Sequence, residues 1–141
     1  MKTKFNLIAI VCIIIFCFAI TPITLQNDTF YTIKIGEHIL NNGINMEQDP
    51  FSMHEIPYTY PHWLYDVGIY LIYSVGGMAG IYISTVILSC ILGIVVYITN
   101  KRITKNELVS FLLTLGVMYI LTGFIAARAQ LVTFILFALS I

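Results

Sequence analysis

Charged residues are scarce in this sequence. Only 10% of the 141 residues are charged and 59% are hydrophobic, whereas soluble domains have about 25% charged residues. This shortage argues against an ordinary soluble domain and predicts an all-α protein that crosses the membrane several times. No basic cluster follows a nucleic-acid-like pattern and the net charge is zero, so we expect the lipid bilayer as a partner and no nucleic acid.

Cysteine is rare as well. Cys12, Cys17 and Cys90 all lie in apolar runs, with no CxxC or Cys/His spacing. We therefore predict that they are small packing residues, without a disulfide or zinc role.

Apolar runs make up most of the remaining chain, and the predicted membrane helices are at about 5–25, 79–98, 108–125 and 131–141. The last run has roughly half of the ~20 residues that a span needs, so we expect an N-terminal part of a longer protein, inactive by itself. The first run could instead be a secretory signal peptide. It exceeds the usual apolar core of about 7 to 15 residues, and no A-x-A site follows, so we predict an uncleaved helix.

The few cations predict the orientation in the membrane. Lys2 and Lys4 precede the first helix, and three more cations lie in the loop 99–107. Positive residues in short loops mark the cytoplasmic side. We therefore predict a multi-pass protein of the cell membrane with a cytoplasmic N-terminus and an extracellular loop at 26–77.

Helix signals divide this extracellular loop. Asp28 is placed to cap a surface helix at 28–42, and Gly43 is placed to stop it. The predicted stripe along one face of that helix contains Phe30, Ile33, Glu37 and Leu40. A second surface helix is predicted at 61–75, because Pro61 suits a first turn and the Gly76-Gly77 pair suits an end.

Asp28 is the first candidate for chemistry. It follows the first membrane helix closely, where a carboxylate would face water and could act as a general base towards an acceptor hydroxyl. The alternative is a purely structural helix cap.

Arg128 stands alone between two apolar runs. An arginine so close to hydrocarbon is costly unless it meets an anion or water, and a phosphate suits its two-pronged guanidinium. The alternative is an interfacial arginine that reaches lipid headgroups.

The loop also holds candidate ligands or proton carriers, which are Asp49, His54, Glu55 and His62. Their spacing matches no defined metal motif, so we predict no cofactor, with a divalent metal ion as the alternative. Nearby aromatic residues, Tyr58, Tyr60, Trp63 and Tyr65, are typical of a headgroup belt, although aromatic faces also suit sugar rings.

The order of several residues resembles the N-terminal part of bacterial membrane proteins related to the GT-C glycosyltransferases. The matching residues are Asp28, Phe30, Tyr31, Gly36, Asp49, Pro50, Phe51, Ser52, Trp63, Leu64, Gly76, Gly77, Arg128 and Gln130. The chain departs from that pattern at Thr32, where related sequences often have a histidine.

The resemblance implies a GT-C-like N-terminal portion with interfacial helices in its first external loop. Proteins of this superfamily, such as protein mannosyltransferases and aminoarabinose transferases, transfer a sugar from a polyprenyl-phosphate carrier on the outer side of the membrane. The resemblance further implies that Asp28 is the catalytic carboxylate and that Arg128 lies near the lipid-linked phosphate. We expect Gln130, Asp49, His54 and Trp63 to contact the substrate, and the acceptor is unknown.

A non-catalytic polytopic protein, such as a transporter or a cell-envelope assembly factor, is the alternative function. A transporter should place ionisable or helix-breaking residues near the middle of the membrane. The predicted spans hold Gly, Ser, Thr and Asn6 but no charged residue or histidine, and Pro22 lies near the end of the first span, which favours the enzyme.

Overall fold

The protein is all-α throughout the residues that the computed structural model describes, which are 2–24, 26–44 and 59–141. The elements are α1 Lys2–Ile20, α2 Asn27–Asn42, α3 Trp63–Thr104, α4 Glu107–Ile120, a 3-10 turn Leu121–Phe124 and α5 Ala129–Leu139. They form two compact units, Asn27–Ile81 and Met1–Gln26 with Tyr82–Ile141. The predicted all-α fold class is therefore confirmed for this part of the chain.

The first helix is shorter than the predicted span at 5–25. It ends at Ile20, and the buried Thr21 closes it with a hydrogen bond from its Oγ1 to the Cys17 carbonyl, 2.7 Å away. Pro22 is the physical reason, because proline lacks an N–H and disfavours a helical conformation at the preceding residue.

The predicted helix at 61–75 corresponds to the first part of α3. The element Trp63–Thr104 consists of two helices joined across a kink at Gly77, where the backbone is non-helical with φ 57° and ψ −150°. Glycine adopts such positive φ values at no steric cost. The first of these helices thus ends at the Gly76-Gly77 pair, and the second begins directly after the kink.

The predicted loop at 99–107 is also much shorter in the structure. Helix α3 continues to Thr104, and only Lys105 and Asn106 separate it from α4. The Asn106 side chain accepts hydrogen bonds from the backbone N–H groups of Leu108 and Val109, so it caps α4. An N-cap of this kind allows a helix to begin directly after a tight turn.

The predicted spans at 108–125 and 131–141 correspond to α4 with its 3-10 turn and to α5. The rings of Phe124 and Phe134 meet edge to face with centroids 6.3 Å apart. Ile125, Ala126 and Ala127, between the 3-10 turn and α5, are buried. This packing fixes the backbone just before Arg128.

Four side chains join α1, α3 and α4 within the second unit. Tyr97 Oη and Lys101 Nζ both donate to Asn6 Oδ1, at 2.8 Å each. Asn6 Nδ2 donates to Glu107 Oε1 at 3.0 Å, and Lys101 Nζ lies 3.2 Å from the same carboxylate oxygen. The amide of Asn6 in α1 thus bonds to side chains of both α3 and α4. These hydrogen bonds explain how a polar residue is accommodated in the apolar α1.

Within the described residues, two helical segments are long and apolar enough to cross a membrane, Trp63–Thr104 and Glu107–Phe124. The predicted span at 79–98 lies within α3, after the kink at Gly77.

Candidate functional site

Asp28 is the second residue of α2, in the first helical turn. It therefore lies inside the helix, whereas the predicted cap position would precede it. Its side chain is exposed, and a carboxylate in the first turn interacts favourably with the positive end of the helix dipole. A solvent-accessible carboxylate at this position can both stabilise α2 and accept a proton from a bound hydroxyl.

The buried face of α2 differs from the predicted stripe. Phe30 and Leu40 are 47% and 49% exposed, so they do not belong to the core. The buried positions are Thr29, Thr32, Ile33, Ile35, Gly36 and Ile39. The small residues among them allow α2 to approach its neighbour closely, which an apolar stripe alone does not reveal.

Gly36 marks that close approach. A Cβ atom at this position would overlap the carbonyl oxygen of Asp66 and lie 2.7 Å from its carbonyl carbon and 2.8 Å from Tyr70 Cβ. The backbones of α2 and the beginning of α3 are therefore in direct contact, and only glycine fits between them. This contact sets the position of the helix that carries Asp28 within its own unit.

A histidine and an aspartate next to this contact form a pair that the sequence prediction missed. His62 Nδ1 lies 2.8 Å from Asp66 Oδ1. The Asp66 side chain is 1% exposed and that of His62 is 44% exposed. With Asp66 ionised, His62 Nδ1 donates the hydrogen bond.

Asp66 is unusually buried for a carboxylate. It precedes the predicted span at 79–98, and burial raises the pKa of its carboxyl group, while the hydrogen bond and the charge of His62 oppose that rise. Among the described residues, its Oδ2 atom has no hydrogen-bond partner, and neither has Thr29 Oγ1. The i, i+4 spacing of His62 and Asp66 was the available signal, because such residues are neighbours on a helix surface.

Arg128 belongs to the other unit and occupies the N-cap position of α5, with extended backbone at φ −132° and ψ 151°. Its backbone N–H donates to the Ala126 carbonyl at 2.8 Å. The side chain is partly exposed, and Gln130 follows as an exposed residue of the first turn. A guanidinium beside the positive end of a helix forms a cationic environment suited to a phosphate.

The remaining predicted site residues fall into two groups. Trp63 begins α3 and is 46% exposed, so its ring is available for contact. Asp49 and His54 lie outside the described residues, as does Glu55. Within the described ranges, no group of three His, Cys, Asp or Glu side chains could hold a metal ion.

Comparison with known proteins gives no relative for this chain. No family model matches it, and neither a curated protein nor a solved structure is similar enough to count as a match. The function must therefore be argued from the residues themselves.

Proposed function

We propose that the protein is a membrane glycosyltransferase of the GT-C type, which transfers a sugar from a polyprenyl-phosphate carrier to an acceptor on the extracytoplasmic side. The observation that carries this proposal is the exposed Asp28 in the first turn of the helix that follows the apolar α1. The order of the matching residues along the sequence, which resembles that of GT-C proteins, supports the proposal.

In the proposed reaction, the Asp28 carboxylate accepts the proton of the acceptor hydroxyl as its oxygen attacks the anomeric carbon. A new glycosidic C–O bond forms while the bond from the anomeric carbon to the carrier phosphate breaks. The electron pair leaves with the phosphate, where the Arg128 guanidinium stabilises the negative charge. Gln130, Trp63, Asp49 and His54 are proposed to hold the rest of the substrate.

The proposed setting is a multi-pass protein of the cell membrane with its N-terminus in the cytoplasm and the loop 26–77 outside. Large apolar side chains are exposed along every proposed span, including Leu7 at 65%, Ile83 at 56%, Leu112 at 58% and Leu136 at 62%. Exposed apolar surfaces of this kind are unfavourable in water and favourable against the acyl chains of lipid.

Cysteine labelling tests this topology. After the native cysteines are replaced, a single cysteine at Ile44 should react with a membrane-impermeant maleimide in intact cells. A single cysteine at Arg102 should react only after permeabilisation. Both side chains are exposed, so the labelling depends on which side of the membrane each residue lies. Labelling of both positions from outside would contradict the proposed topology.

Donor consumption tests the activity. The complete reading frame that contains these residues, reconstituted in vesicles, should release polyprenyl phosphate from polyprenyl-phosphate mannose or polyprenyl-phosphate aminoarabinose when an envelope extract supplies acceptors. Vesicles without protein are the control. The absence of release with both donors would favour the non-catalytic alternative, a transporter or an envelope assembly factor.

A further inference from the structure

A groove lies at the junction of α1, α3 and α4. Its volume is about 830 Å³, within the ~300 to 1,000 Å³ that is usual for small-molecule pockets. The lining residues that matter here are Phe5, Ile8, Leu108, Lys101, Lys105 and Glu107. All of them belong to one unit, so the groove is complete within it.

The lining of the groove combines apolar and charged side chains. Ile8 and Leu108 are 61% and 55% exposed, and Phe5 lies beside them. Two lysines and one glutamate supply a net positive charge. A molecule that fits must therefore carry both an apolar portion and an anionic group.

The two lysines have different surroundings. Lys101 is already held by Asn6 and Glu107, at 2.8 Å and 3.2 Å. Lys105 is exposed, and none of the described acidic side chains forms an ion pair with it. Lys105 is therefore the cation that remains available to a ligand.

The backbone conformation of Lys105 also supports a role in ligand binding. Its φ is 54°, and it is the only non-glycine residue with positive φ in the described part of the chain. Glycine and asparagine adopt this conformation more readily than lysine does. A lysine at this turn projects a charge into the groove at some conformational cost.

We propose that this groove binds one anionic phospholipid of the cytoplasmic leaflet, with its phosphate on Lys105 and an acyl chain along Phe5, Ile8 and Leu108. Basic pockets between membrane helices on the cytoplasmic side suit anionic headgroups. This site depends on the proposed membrane orientation and is independent of sugar transfer.

Native mass spectrometry of the full-length protein in detergent tests this lipid site, with phosphatidylglycerol and phosphatidylcholine supplied in equal amounts. Wild-type protein should retain one phosphatidylglycerol in preference to phosphatidylcholine. Lys105→Gln should weaken phosphatidylglycerol retention about fivefold, the effect of one cation near an anionic lipid. Arg102→Gln is the matched control, because it removes the same charge from an exposed residue outside the groove lining, and its effect should be below about twofold.

Three outcomes would overturn the proposal. Equal retention of phosphatidylglycerol by wild type and Lys105→Gln would exclude Lys105 as its binding residue. An equal loss of retention in Arg102→Gln would show that only diffuse surface charge attracts the lipid. Displacement of the lipid by an equal concentration of glycerol 3-phosphate would exclude a role for the acyl chain. Lys105→Asn, whose side chain suits positive φ, provides a second neutral variant and should reproduce the loss if Lys105→Gln folds poorly.

Discussion

Asp28→Asn should lower the rate of sugar transfer by a factor of about 100 to 10,000, the usual contribution of a general base. Asparagine has nearly the same size and shape as aspartate but cannot accept the acceptor's proton at neutral pH. The KM for the polyprenyl-phosphate donor should change little, because the lost interaction is with the acceptor hydroxyl. Single-turnover transfer in vesicles, with donor and acceptor saturating, measures the effect.

Glu37→Gln is the matched control for this variant. Glu37 lies on the same helix and pairs with Lys34 at 2.7 Å on its exposed face, so the substitution removes a carboxylate that has no proposed role in transfer. Its rate should stay within about twofold of wild type, since an exposed ion pair contributes little to stability. A wild-type rate for Asp28→Asn, or an equal loss in Glu37→Gln, would contradict the catalytic role of Asp28.

Gly36→Ala should destabilise the protein by about 2 kcal/mol, within the usual range for overpacking a close contact. The added methyl group would meet the backbone of Asp66, which cannot rotate away as a side chain could. Helix α2 would have to move from the beginning of α3, and the burial of Ile33 and Ile39 would decrease. Thermal unfolding in detergent, followed by circular dichroism, measures the loss.

Gly68→Ala tests whether this effect is specific. Gly68 lies in α3, and a Cβ atom there would meet nothing within 4 Å. Alanine is favoured over glycine in helices by about 1 kcal/mol, so Gly68→Ala should leave stability unchanged or raise it. The two substitutions are chemically identical and are expected to act with opposite signs. A loss of similar size in both variants would show that the α2 contact is not the cause.

The helices themselves could be predicted from local signals. Apolar runs of sufficient length locate α1, α3 and α4, and the end of α2 follows from Gly43, whose φ is 78°. The boundaries were less predictable where two local signals conflict. Pro22 ends α1 although the apolar run continues, whereas the kink at Gly77 lies within the glycine pair at which the sequence predicts a helix end.

The candidate site could be predicted only in part. The exposure of Asp28 and the N-cap position of Arg128 agree with their placement at the ends of apolar runs. The pair of His62 with Asp66 lies close together in sequence, yet the burial of Asp66 arises from packing within its unit. In the sequence, His62 stands among other potential ligands of the loop, and this neighbourhood obscures its pairing with the aspartate one helical turn away.

Sequence alone determined that the chain is helical, apolar and poor in charge, because helix periodicity, length and composition are local properties. Tertiary structure decided which small residues permit contact and which polar groups become buried. Gly36 approaches Asp66 across 30 residues, and Asn6 bonds to Glu107 across 101. Such contacts join segments that are distant in sequence. Each of them involves only a few atoms, so it produces no periodic pattern in the sequence.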